Sequence, residues 1–187
     1  MGPSTSPQSL GSPEWQVFPG ILPISNKTIT FIDVWLRKAN TDHAFFIALT
    51  VVGWIDVFNS DSYIDIIYEN LEYCRKNKGL EIYSYVIMPR NIHLIARQKE
   101  GKLNEWIRDF KSFTAKKLLE AITKNQSESR REWMLYLFKY FANNLKQNKE
   151  NMFWQKTSHP VEILSHPVFQ QKQKYIHFNP VEAGIVI

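Results

Sequence analysis

The stretch Glu81–Arg97, EIYSYVIMPRNIHLIAR, constrains the chain more than any other: two apolar runs flank Met88-Pro89-Arg90, and Asn91 and His93 lie just inside the second run. Pro89-Arg90 reads as a turn, so Leu80 to Met88 and Asn91 to Gln98 are expected to be two strands paired as a hairpin. Residues two apart on a strand project to the same face. The amide of Asn91 and the imidazole of His93 therefore point together, while Ile92 goes into the core.

The flanking sequence supplies the remaining elements of a small α+β domain. Upstream, Ala44 opens the nearly continuous apolar run FFIALTVVG, which ends at Gly53 and has the pattern of a central strand covered on both faces. Asn59-Ser60-Asp61 offers N-cap chemistry for a helix from about Ser62 to Lys78, with Ile64, Ile67, Leu71 and Cys74 on its buried stripe and Gly79 as C-cap. A second long helix is expected from Leu103 to about Lys124, because Leu103, Ile107, Phe110, Thr114, Leu118 and Ile122 recur every three to four residues. Arg130 to Asn144 reads as an aromatic-rich helix whose rings either pack inside or stack on unpaired bases. A polar Lys/Asn/Gln loop follows it. Phe153-Trp154-Gln155 and Val161–Leu164 look like short extended pieces, the second leading to the last strand. The resulting strand and helix order predicts a ferredoxin-like βαββαβ antiparallel sheet with helices on one face.

A C-terminal helix starts at His166-Pro167, proline suiting a first turn, and carries Lys174, Tyr175 and Asn179. Spacing of four stacks the phenol and the second amide on one side. Pro180 is expected to end this helix, and Gly184 to close the turn. Residues 1–43 read as a flexible N-terminal extension, rich at its start in Pro, Ser and Gly. Within it Thr28 to Arg37 is either an extra strand or a short helix. Residues 44–187 form the folded domain.

Composition narrows the function classes. The 187 residues suit one domain, and 23 Lys+Arg against 18 Asp+Glu, net +5, fit a polyanionic partner. The one cysteine, Cys74, leaves no intrachain disulfide, so a reducing cytoplasm is the default expectation. No apolar run approaches the roughly 20 residues of a membrane span, and the first residues lack the basic and apolar regions of a secretion signal.

YVIMPRNIHLIA followed about eighty residues on by YIHFNPVEAGIV resembles the IS200-like, REP-associated tyrosine transposases, a branch of the HUH single-stranded DNA nucleases. The resemblance covers roughly Ala44 to Ile187. It implies that Asn91 and His93 occupy the paired-histidine positions, that Asn179 is the third metal ligand, and that Tyr175 is the nucleophile. The implied cofactor is Mg²⁺ or Mn²⁺. The implied partner is single-stranded or hairpin DNA, with a homodimer left open. Arg90, Arg97, Arg108, Lys111, Lys116 and Lys174 are the candidates for DNA contacts. Two features depart from the family pattern. Asn91 stands where the family has His, so the pair is Asn-Ile-His, and Arg90 replaces a usual Asn. A neutral amide oxygen can coordinate either cation but binds it more weakly than the family's donor set. Two classes of function follow: a metal-dependent tyrosine endonuclease and strand transferase, or a DNA-binding relative that cuts poorly.

Overall fold

The structure is a computed structural model that describes residues 43–144 and 150–185. The N-terminal extension with its Thr28 to Arg37 segment, and most of the polar loop after Asn144, lie outside the described residues. In chain order the elements are β1 (Phe45–Thr50), a 3₁₀ turn (Val52–Trp54), α1 (Asp61–Asn77), β2 (Leu80–Met88), β3 (Asn91–Gln98), α2 (Leu103–Lys124), α3 (Arg131–Asn144), β4 (Val161–Glu162) and α4 (His166–Glu182).

The strands form an antiparallel sheet in the order β2-β3-β1-β4. This is the strand order that βαββαβ connectivity produces when its hairpin, β2-β3, is laid beside β1. Met88 faces Asn91 across the hairpin, so the Pro89-Arg90 turn fixes the register from its first pair. On the outer flank β4 contributes only two residues. Gln155 donates to Thr50, Ala48 to Ser158 and Ile163 to Ala44, so the extended 153–163 segment pairs with β1 on both sides of an irregular stretch. Lys111 pins that stretch from α2, donating to the carbonyls of Gln155 (2.6 Å) and Lys156 (3.1 Å) and to Ser158 Oγ (3.1 Å). The Trp154 indole, immediately before this stretch, donates to Thr114 Oγ1 at 3.0 Å.

The sheet's two faces bury different partners. Phe45, Ile47 and Leu49 of β1 and Ile92, Leu94 and Ala96 of β3 join the main core with α1, α2 and α3. The buried residues of α1 are Tyr63, Ile67, Leu71 and Cys74; Ile64 is only partly buried at the core's edge. All six residues of the expected α2 stripe are buried, joined by Trp106. The aromatic-rich α3 divides: Met134, Phe138 and Ala142 are buried, whereas Trp133, Tyr136 and Tyr140 are exposed. On the opposite face Phe46, Ile95 and Ile176 form a smaller cluster bordered by Val86, Ile163 and Phe169, through which α4 is docked. A register shift between Ile82 and Ser84 changes which β2 side chains face it. Tyr83 accordingly packs on Phe169 of α4, while Tyr85 packs on Tyr68 of α1.

One expectation is overturned. Helix α4 does not stop at Pro180 but continues to Glu182. Proline cannot donate to the carbonyl four residues earlier. The helix end beyond it is closed by Ala183 donating to Asn179, Gly184 to Val181 and Ile185 to Pro180. Gly184, at φ +67°, then turns the chain out of the helix.

Gly53 (φ +62°) is held in the same left-handed region, and a Cβ there would overlap the Phe141 ring of α3. Gly53→Ala is expected to destabilise the domain by about 2–4 kcal/mol, combining left-handed strain with overpacking. Urea denaturation should record this as a lower midpoint at unchanged slope.

Candidate functional site

The minor face of the sheet carries the polar pair. Because Ile92 and Leu94 are fully buried toward α1 and α2, the pleat turns Asn91, His93 and Ile95 toward α4. His93 sits opposite Ala48 on one neighbouring strand and Val86 on the other, which places it in the middle of the sheet. It is 7% exposed. The Phe46 ring stacks on the imidazole with centroids 5.6 Å apart and planes 15° apart.

Tyr175 arrives from α4. Its ring meets His93 edge-on at 5.2 Å between centroids and 72° between planes, and meets Phe46 at 5.7 Å and 76°. The phenol is nonetheless 42% exposed, so the ring has one side against the cluster and one open to solvent. Ile176, buried against Phe46 and Ile95, faces the sheet and, with Phe169 against Tyr83, sets the helix's rotation. With that residue facing the sheet, helical spacing sets Lys172, Tyr175 and Asn179 on one flank.

Helix direction places Asn179. Phe169 lies against Tyr83, level with the Ala96 end of β3, whereas Tyr175 lies against His93, so α4 runs antiparallel to β3. The helix advances about 6 Å from Tyr175 to Asn179, and β3 covers about 6.6 Å from His93 to Asn91. The second amide is therefore carried toward the Asn91 end of the strand.

Two buried polar atoms here, Asn91 Oδ1 and His93 Nδ1, have no hydrogen-bond partner in the structure. Such atoms cost free energy unless something ligates them. One oxygen and one nitrogen donor, side by side on one strand face, fit a divalent cation in kind, and Asn179 would supply another oxygen. Burial first, and then the positive charge of Lys172, holds the His93 pKa down at about 4, which keeps the ring neutral, with one nitrogen carrying a free lone pair, at neutral pH. The donor set carries no negative charge. Among the described residues no group of three or more His, Cys, Asp or Glu is gathered anywhere in a metal-binding arrangement.

The basic candidates are scattered. Lys111 is committed to the 155–158 segment, and burial lowers its pKa to about 8. Arg108 and Lys116 are exposed on α2, which covers the other face of the sheet from Tyr175, and Arg108 Nε pairs with Asp109 at 2.9 Å. The structure does not bring that charged face to the site. Arg90 pairs with Asp56 at 3.2 Å in the hairpin turn, and Arg97 with Glu81 at 3.5 Å. Lys174 lines an open groove of about 430 Å³ between β2 and α4, with Ser84, Gln173 and His177. Sequence reasoning missed Lys172, whose ammonium lies 4.9 Å from the Phe46 ring centroid. Its position three residues before Tyr175 was the available signal. Phe46 was missed because a continuous apolar run does not say which face each residue takes.

The His93 shift has a stability consequence. Its native pKa lies below the ordinary 6.5, so between about pH 6.5 and 4 the unfolded chain binds the proton and the native one does not. Stability should therefore fall as pH drops through that window. The melting temperature of His93→Gln should depend less steeply on pH from 6.5 to 4 than that of the wild type, by up to one proton's linkage.

No protein-family model matches the chain, and no curated protein matches it. Among the described residues no helix is long and apolar enough to cross a membrane. Solved structures similar to the chain include a REP-associated tyrosine transposase bound to a REP hairpin, with a TM-score of 0.47 and 16% identity over 79% of this chain and 72% of that one. A second, from Deinococcus radiodurans R1 and provisionally described as a transposase, gives a TM-score of 0.44 and 17% identity over 72% of this chain and 88% of that one. At this level of likeness the site assignments rest on the chain's own geometry.

Proposed function

We propose that this chain is a transposase-like endonuclease and strand transferase for single-stranded, hairpin-containing DNA, with Tyr175 as its nucleophile. The observation that carries the reading is the meeting of a half-exposed phenol with His93 beside two unpartnered donor atoms. The sequence resemblance, carried by YVIMPRNIHLIA and YIHFNPVEAGIV, supports it independently.

In this reading the Tyr175 hydroxyl loses its proton to solvent on its open side and attacks phosphorus. A bond forms between the phenolic oxygen and phosphorus as the bond from phosphorus to the 3′-oxygen breaks. The departing oxygen takes up a proton, leaving a free 3′-hydroxyl and a 5′-phosphotyrosine. Attack by another 3′-hydroxyl reverses the chemistry and rejoins strands. Asn91, His93 and Asn179 would hold Mg²⁺ or Mn²⁺, which when bound polarises a non-bridging phosphate oxygen. The chain's own contribution is to fix the phenol: Ile176 sets the helix rotation, and the edge contacts with Phe46 and His93 hold the ring.

A second reading is a hairpin-binding protein that cuts poorly. The neutral Asn91 in place of an imidazole favours it, because the amide binds a cation less strongly. One experiment separates the two. Labelled hairpin DNA with single-stranded flanks is incubated with Mn²⁺, and the protein is run on a denaturing gel to detect a covalent adduct. Tyr175→Phe should abolish the adduct while binding survives, and Asn91→His should raise its yield several-fold. Equal, detectable yields from the three proteins would reject these roles, and binding with no adduct in any of them would select the second reading.

A further inference from the structure

Lys172 occupies a position that the donor set itself does not explain. It is partly buried on the flank of α4 that carries Tyr175, and its Nζ lies over the Phe46 ring, 4.9 Å from the centroid. Phe46 in turn stacks on His93 and meets Tyr175 edge-on. Within this cluster of four side chains Phe46 touches each of the other three. A cation over an aromatic face is attracted by the ring's quadrupole, which gives the charge a favoured place beside His93 and Tyr175.

That place matters for two chemical reasons. A cation at the site would be coordinated by an imidazole and neutral amides, with the Lys172 charge already close enough to act on His93. The two positive charges oppose each other. Conversely, a phosphate entering between Tyr175 and the Asn91/His93 pair brings negative charge, which grows on the non-bridging oxygens as the phenol attacks.

We propose that Lys172 contacts the phosphate beside Tyr175 and supplies part of the charge neutralisation that the amide-substituted donor set gives up. The inference rests on the nuclease reading of the site but concerns a contact that exists before any cleavage. Lysine suits it, being a compact charge on a flexible stem that can leave the Phe46 face for an oxygen anion.

The test measures binding apart from chemistry. In a Tyr175→Phe background with EDTA present, fluorescence anisotropy with hairpin DNA bearing single-stranded flanks gives affinity as a function of salt. Adding Lys172→Gln should weaken binding about tenfold, the effect of one charge-assisted phosphate contact. It should also lower the slope of log affinity against log salt by about 0.7, one counterion fewer on a single strand. Lys172→Arg should keep most of both. In the Tyr175 protein, Lys172→Gln should lower the adduct yield even at saturating Mn²⁺. An unchanged salt slope in Lys172→Gln would overturn the proposal even if the adduct forms normally. Loss of affinity with no change in slope would assign Lys172 a packing role and overturn it equally. If the wild type forms no adduct but the slope still depends on Lys172, the cleavage reading fails and the phosphate contact stands.

Discussion

The alternation of side chains along β3 is the constraint on which the rest depends. Ile92, Leu94 and Ala96 are buried in the main core, and this commits Asn91, His93 and Ile95 to the other face. A slip of one residue would push the imidazole among α1 and α2 and expose three apolar side chains. The register is fixed on both sides, by β2 through the Met88–Asn91 turn pair and by β1 through Thr50 opposite Asn91. The polar pair is thus held by strands that have no chemical role themselves.

Burial then gives that pair its character. An imidazole 7% exposed, stacked on Phe46 and facing a lysine, stays neutral well below the usual range. The same surroundings leave its Nδ1 and the Asn91 Oδ1 without partners. A fully apolar sheet face would have been cheaper in free energy, so these donors are the kind of local conflict expected where function competes with stability. Tyr175 differs in keeping one side in solvent, as a group that must meet a large substrate requires.

The two layers also separate tasks. The α1, α2 and α3 side supplies most of the buried area, and its basic residues are either exposed away from α4 or, like Lys111, used to secure the 155–158 segment against β1. The thinner α4 side holds the phenol, both unpartnered donors and Lys172. Its docking cluster is small, centred on Phe46, Ile95 and Ile176. The position of the phenol thus depends on a few apolar contacts, chiefly those of Ile176.

Much of the architecture was legible because local rules and global packing agree. The turn at Pro89, the glycine at position 79 with φ +65°, and the six-residue stripe of α2 each specify one local structure, and all three appear where the sequence places them. The spacing of two between Asn91 and His93 on a strand, and of four between Tyr175 and Asn179 on a helix, is what places each pair on one side of its element. Sequence could not decide how α4 crosses the sheet, because its apolar pattern is weak and its orientation is set by Ile176, Phe169 and Tyr83 together. Nor could it show that Pro180 would lie inside the helix, since the hydrogen bonds that close the helix end come from residues beyond it. Pattern and spacing specified the parts; the meeting of Tyr175 with His93, and of Lys172 with Phe46, was decided only when contacts distant in the chain fixed one helix against one strand.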